Sequence, residues 1–314
     1  MTTDRFKNVR FLTMDGEIIP FWEAKMHPLS KAMKYATSVF DAWRGYWNPE
    51  KRELYVFRLR EHLIRLLQSA KIYQIPCPYT VDEMVNQTVD LIRANEYKED
   101  IHCRVILFVS EIDGGTLSSS PVSTVLAAMP MPNFLKRGPE GVHACVSSWR
   151  RISDEDMPPR AKAAANYQNA RLVDLEALNN GYDAAIILDR NGKVTEGPAY
   201  GMFIVRNRTL ITTPVTGGIL ESLTRDTFIT LLPEISGGQQ VIQREIDRTE
   251  LYIADEAFFC GSSAEATPIL SIDKRQVGDG EMGPITRTLR EAYLDLVKGN
   301  SSSHRDWLLS IYGR

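Results

Sequence analysis

The chain of 314 residues is 43% hydrophobic and 25% charged, the composition of folded domains rather than of a disordered or fibrous chain, with enough apolar material for two cores. Its 37 basic and 40 acidic residues leave a formal net charge of -3, which gives no electrostatic reason to expect nucleic acid or a membrane surface as partner and favours small polar substrates. The four cysteines, Cys77, Cys103, Cys145 and Cys260, are far apart, lack metal-ligand spacing and sit in apolar stretches, as reduced core thiols of a cytoplasmic protein do. The opening residues lack an apolar export segment and no run of about 18 uncharged apolar residues occurs, so neither export nor membrane insertion is expected.

In chain order, the β-branched and aromatic run from Leu54 to Phe57 predicts a strand. Leu63, Leu66, Leu67 and Ala70 then fall at i, i+3, i+4 and i+7, the spacing of a helix packed on a sheet. Thr80 followed by Glu83 is a capping-box signal, and Met84, Val85, Leu91 and Ile92 recur at helical spacing, which predicts a helix over 81–95. Segments 104–109 and 122–129 read as strands, so residues 1–130 form a smaller N-terminal α/β domain. The Pro- and Gly-containing stretch from Pro130 to Pro139 disfavours continuous helix or strand, and 131–140 is assigned as an interdomain loop.

Beyond it come a strand at 142–149 and a helix over 166–179, stopped by Asn179-Asn180-Gly181. Short strands follow at 184–188, 202–205 and 210–213, with Asp189-Arg190-Asn191-Gly192 as a turn. One helix starts near Ser222 and carries Phe228, Leu231 and Leu232; another starts at Pro284 with Ile285, Leu289 and Leu296 on one face. Residues 141–314 are thus expected to form a larger, β-rich domain with helices, and the whole a mixed α+β fold without internal repeats.

Three stretches can carry chemistry. Lys162 lies among small residues (Ala161, Ala163, Ala164, Ala165) just before a helix, where partial desolvation favours a nucleophilic amine, although a surface lysine at a helix start has the same local sequence. Gly217-Gly218 leads into Ser222-Leu223-Thr224-Arg225, where free amides and hydroxyls at a helix start favour an anion, although many such caps bind nothing. Thr195-Glu196-Gly197 places a carboxylate after a turn and before an apolar strand, where a buried acid needs a cationic partner and an exposed one does not.

Taken together these stretches resemble the fold-type IV pyridoxal-phosphate (PLP) enzymes, and most closely the branched-chain amino acid aminotransferases. The similarity spans nearly the whole chain, through Tyr35 to Arg44, Phe57 to Leu66, Ser147 to Arg150, Lys162 to Tyr167, Thr195 to Gly197, Leu223 to Asp226, Leu251 to Glu256 and Gly261 to Glu265. The resemblance implies that Lys162 is the catalytic lysine that holds PLP as a Schiff base. It implies that Arg65, the Leu223 and Thr224 amides and the Thr224 hydroxyl hold the phosphate, that Glu196 faces the pyridine nitrogen, that Tyr167 faces the ring hydroxyl, and that Leu220 and Ser262 complete the cofactor site. On the substrate side it implies Tyr35, Phe40, Arg44, His102, Arg104 and Phe134, with the amides of Ser262 and Ser263 receiving the substrate carboxylate.

The sequence departs from the family pattern mainly on that side. His102 replaces the tyrosine of a Tyr-x-Arg element, Ala36 and Asp41-Ala42 replace Gly and Glu-Gly, and Gly201 stands where asparagine is usual. A histidine can donate, accept or carry charge near neutral pH, or simply replace the hydrogen bond of tyrosine. The implied reaction is a ping-pong exchange between an amino donor, branched-chain or otherwise hydrophobic, and a 2-oxo acid such as 2-oxoglutarate, in a homodimer or larger assembly. The alternatives within the fold are D-amino acid and (R)-amine transaminases and an aminodeoxychorismate lyase. Arg104-Val105-Ile106 lacks the Arg-x-His element of the D-amino acid type. Retention of Lys162, Tyr167, Glu196 and Thr224 argues against a non-catalytic homologue.

Overall fold

A computed structural model describes residues 6–112, 115–130 and 140–313, in which the chain forms two units. The first, residues 1–132 with 161–165 and 295–314, is built on one sheet. Its elements are β1 (Phe11–Met14), β2 (Glu17–Pro20), α1 (Lys31–Tyr35), β3 (Ser38–Asn48), β4 (Glu53–Phe57), α2 (Leu59–Ile72), α3 (Val81–Asn95), β5 (Ile101–Val109) and β6 (Val122–Pro130), with the late strand β15 (Leu308–Ser310). The order is β15-β4-β3-β5-β6-β1-β2, and every pair is antiparallel.

Strand alternation sorts the two faces of this sheet. Val39 and Trp43 of β3 and Cys103, Val105 and Leu107 of β5 pack with Leu59, Leu63 and Leu66 of α2 and Met84, Leu91 and Ile92 of α3 in one core. The α3 helix follows its local signals over 81–95: the Thr80 hydroxyl accepts from the Glu83 amide at 3.3 Å, and the Glu83 carboxylate accepts from the Thr80 amide at 2.7 Å. β5 begins at Ile101, three residues earlier than its sequence suggests, which brings His102 into the ladder opposite Arg44. The short β1, β2 and α1 hold too few residues for a period to show.

Segment 161–165 belongs to the first unit because it continues the edge of β3 beyond the reach of β4. β4 pairs only with 45–48, and further along β3 the Phe40 amide donates to the Lys162 carbonyl at 2.9 Å while Ala163 bridges Val39.

The second unit, residues 133–160 and 166–294, holds β7 (Val142–Arg150), α4 (Tyr167–Asn179), β8 (Ala184–Leu188), β9 (Gly201–Arg206), β10 (Thr209–Thr212), α5 (Leu223–Ser236), β11 (Ile242–Gln243), β12 (Glu256–Gly261), β13 (Glu265–Ile272), β14 (Arg275–Gln276) and most of α6 (Pro284–Val297). Its sheet runs β11-β10-β9-β12-β13-β7-β8, with β14 on β13; β11 on β10, β7 on β13 and β8 on β7 pair in parallel. Val142, Ile186, Ile204, Phe259 and Ile269 lie in the core of this sheet, and Phe203, Phe228, Phe258 and Tyr293 form an aromatic cluster joining β9, α5, β12 and α6. Segments 161–165 and 295–314 thus belong to the first unit although they lie far along the chain from its other residues. Residues 131–139 of the expected interdomain loop, Phe134 among them, lie outside the described residues.

Candidate active site

Directly opposed residues of an antiparallel pair share a face. The register of β3 with β5 therefore sets Phe40, Ala42 and Arg44 beside Ile106, Arg104 and His102, on the face away from the two helices. Lys162 joins them from the adjoining segment. Its Nζ stands 5.1 Å from the centroid of the Phe40 ring, and the Arg104 guanidinium 5.4 Å from the same centroid, so one ring serves two cations. The Lys162 amide is fixed by the Ser69 hydroxyl, which accepts at 3.0 Å. Arg44 lies over the Tyr46 ring at 4.8 Å and approaches Asp100 at 3.9 Å.

His102 is buried within this basic cluster. Burial first, then the charges of Arg104, Arg44, Lys162 and His62, press its pKa down to about 3. It is therefore a neutral imidazole at neutral pH, and of the two roles open to it in sequence the structure selects the uncharged one. Tyr35 ends α1 and is exposed, and Ala36 behind it has φ 54°, a left-handed backbone that explains why glycine suits this position.

Asp41 and Arg65 lie on the other side of β3, against α2. Asp41 is fully buried and accepts from Arg65 Nε at 2.9 Å, Arg65 Nη2 at 2.8 Å and His62 Nδ1 at 2.8 Å. Burial alone would raise its carboxyl, but the Arg65 guanidinium, His62 and their hydrogen bonds hold it well below the usual carboxylate range. His62 is lowered by burial and by Arg65 and Lys162 against the pull of Asp41, so it donates as a neutral ring. Asp41 is thus not on the Phe40 face where the family comparison in sequence put its effect.

In the second unit Glu196 is buried, and its backbone is tied to β8: the Ile187 amide donates to the Glu196 carbonyl at 2.9 Å, and the Thr195 hydroxyl to the Ile187 carbonyl at 2.8 Å. Its carboxylate meets Arg151 Nη2 at 2.6 Å and the Leu220 amide at 3.4 Å. Arg151 also donates to the Gly218 carbonyl at 3.3 Å, so one arginine joins the acid to the glycine turn. No sequence signal separates Arg151 from its neighbour Arg150; only the fold shows which of them is buried.

Leu220 follows that turn, and α5 starts three residues later with Ser222 as its cap, its hydroxyl accepting from Arg225 at 3.3 Å. Leu223 and Thr224 occupy the first turn, whose amides point out of the helix ladder, and the Thr224 side chain is buried. Tyr167 opens α4. Ser262, Ser263 and Ala264 form the tight turn between β12 and β13, closed by the Gly261 and Glu265 pair. Gly201 leaves no room for a larger residue without movement, since a Cβ there would meet Cys260 Sγ at 3.0 Å. Among the described residues no group of acidic, Cys or His side chains could hold a metal ion, and no helix is long and apolar enough to cross a membrane.

Residues 38–272 match the family model for amino-transferase class IV. The branched-chain-amino-acid aminotransferase of Escherichia coli is 37% identical over 312 residues, 98% of each chain. Among solved structures, the branched-chain amino acid aminotransferase of Thermobaculum terrenum in its PLP form superposes with a TM-score of 0.91 at 42% identity, covering 98% of this chain and 100% of that one. The branched-chain aminotransferase of the thermophilic archaeon Thermoproteus uzoniensis with norvaline also gives 0.91, at 41% identity, covering 96% and 99%. With the family model spanning three quarters of the sequence and these relatives nearly all of it, the chain belongs to the class IV aminotransferases and is a transaminase of fold type IV.

Proposed function

We propose that the protein is a PLP-dependent aminotransferase exchanging an amino group between a hydrophobic L-amino acid, branched-chain above all, and a 2-oxo acid such as 2-oxoglutarate. The observation that carries the reading is the buried carboxylate at Glu196 backed by Arg151 in the second unit, while the first unit holds an amine at Lys162 beside Phe40 and Arg104. These residues fit the cofactor of class IV aminotransferases in its three demands, an amine, an anion cradle and an acid for the ring nitrogen. When bound, PLP supplies an aldehyde for amine exchange and a protonated ring that draws charge from the substrate carbon.

In this reading Arg65, the first amides of α5 and the Thr224 hydroxyl bind the phosphate, with Ser262 beside it. Glu196 holds a proton at the ring nitrogen, with Arg151 and the Leu220 amide fixing the orientation of its carboxylate. Tyr167 would hydrogen-bond the ring hydroxyl and Leu220 would pack against the ring. Lys162 would hold the cofactor through its amine and, as a free amine, would take and return the proton at the substrate carbon. Phe40, Tyr35, Arg44, His102, Arg104 and Phe134 receive the side chain, and the Ser262 and Ser263 amides the carboxylate. The relatives named for branched-chain amino acids, and the norvaline complex of one of them, support this choice of donor. An acceptor that takes the donor's place in the same site needs a carboxylate for the same two amides, which a 2-oxo acid has. We further assign residues 1–130 and 141–314 as domains joined by 131–140, with 161–165 and 295–314 of the second stretch contributing to the first unit, a homodimer or larger assembly, and a cytoplasmic setting.

The test is the visible absorption of the purified protein and its loss on mixing with L- and D-amino acids and simple amines. Branched-chain L-amino acids should bleach it fastest, Lys162→Ala should abolish both band and turnover, and Glu196→Gln should lower turnover by about tenfold or more with cofactor content near normal. Reaction with D-amino acids or amines alone would overturn the substrate assignment, and undiminished turnover in Glu196→Gln the role of that residue.

A further inference from the structure

We propose that Asp41, locked by His62, is a positioning residue for the phosphate site: it aims the Arg65 guanidinium. The inference rests on the assignment of Arg65 to the cofactor phosphate and adds to it two residues that need not touch the cofactor.

Arg65 and His62 are three residues apart on α2 and so project from the same side of the helix, and both reach one carboxylate on β3. Asp41 takes Arg65 through Nε and Nη2, which fixes the guanidinium plane and with it the direction of Nη1. The His62 ring in turn fixes the carboxylate. Its Nδ1 donates to the same Oδ1 that Arg65 Nη2 reaches, and the ring lies 6.0 Å from that of Trp43, centroid to centroid, in the first core.

Stability alone is a poor reason for such a cluster. A buried ion pair is often worth no more than well-packed apolar residues of the same volume, and β3 and α2, which carry this one, also give the first core apolar side chains such as Trp43, Leu63 and Leu66. What the charged version supplies is orientation, since a bidentate pair holds an arginine whose several rotatable bonds would otherwise be frozen only when the anion arrives.

The sign expected for positioning is opposite to that of simple electrostatics. Removing the Asp41 charge leaves Arg65 more attractive to an anion, so a through-space effect would tighten phosphate binding. Loss of positioning weakens it.

The experiment titrates the full-length apoenzyme with PLP and with pyridoxal, which lacks the phosphate, in the wild type, Asp41→Asn, His62→Gln and Arg65→Lys. The readout is the ratio of the two affinities, which a general loss of folding or packing leaves unchanged. Asp41→Asn should lower the PLP-to-pyridoxal ratio about tenfold, His62→Gln in the same direction by less, and the double variant Asp41→Asn with Arg65→Lys no further than Arg65→Lys alone. If Asp41→Asn does not fold, His62→Gln carries the decision. A ratio unchanged or raised in the deciding variant, with Arg65→Lys lowering it, overturns the positioning role and leaves the Arg65 assignment intact. An unchanged ratio in Arg65→Lys overturns that assignment and this inference with it.

Discussion

His102 shows at the scale of one residue how burial decides chemistry that the side chain alone leaves open. In the unfolded chain it titrates near 6.5, whereas burial and its basic neighbours hold it at about 3 in the fold. Between these values the unfolded state binds a proton that the folded state refuses. The stability linked to His102 is therefore complete above about pH 6.5 and is lost as the pH falls toward 3, at up to about 1.4 kcal/mol per unit. Between pH 7 and 5.5 the wild type should lose about 1 kcal/mol more than His102→Gln, measured by urea unfolding at both pH values. Equal losses would show that His102 is protonated in the fold. The position of His102 in the site came from the family resemblance, but its charge state follows from burial first and then from Arg104 and Arg44, and Arg44 lies opposite because β5 starts at Ile101. Arg151 was hidden for the same kind of reason: two adjacent arginines look alike until one of them is buried against Glu196. Asp41 was legible in principle, since strand alternation from Phe40 already puts it on the opposite face.

Elements follow from sequence where their signals are local. α3 is such a case, because its cap, its acidic first turn and its apolar stripe all lie within 80–95. Its N-terminus should then depend on the cap as an isolated helix would. Thr80→Ala removes the acceptor for the Glu83 amide and a partner of the Glu83 carboxylate, and should cost about 1 kcal/mol in chemical unfolding, while Thr80→Ser should be nearly neutral. A loss below about 0.3 kcal/mol would mean that tertiary packing, through Met84, Leu91 and Ile92, holds this end without the cap. α5 shows the same legibility, with Ser222 as its observed cap. Strands whose partners are remote behave differently. Ile101-His102-Cys103 has no strong alternation of its own, and it becomes strand because Gly45, Arg44 and Trp43 are already extended beside it.

At the scale of the molecule, the least legible feature is the return of the C-terminal segment to the first sheet. Residues 308–310 pair with 55–57, a contact across about 250 positions that no window of sequence encodes. The structure shows what secures it. The buried Glu53 carboxylate accepts from the amides of Leu54, Ile311, Tyr312 and Gly313 at 2.8 to 3.0 Å and from the Ser310 hydroxyl at 2.6 Å, so one acid satisfies the end of β15 and the turn out of it. Burial would raise its carboxyl, but these bonds, led by those of Ser310 and Tyr312, hold it below the ordinary value. The clasp is therefore complete above the pH at which an unfolded glutamate titrates and is lost on acidification. Glu53→Ala leaves the Ile311, Tyr312 and Gly313 amides without their acceptor beside a fully buried Ile311, and should destabilise the protein by at least about 2 kcal/mol, with Glu53→Gln between it and the wild type. Hydrogen exchange locates the effect. In Glu53→Ala the amides of 311–313 should exchange much faster at neutral pH, while that of Leu107, opposite Val39 in the ladder of β3 and β5, should change only as far as global stability does. Unchanged protection at 311–313 would mean that β15 is held by its ladder with β4 and by Ile311 in the core, with the carboxylate adding nothing.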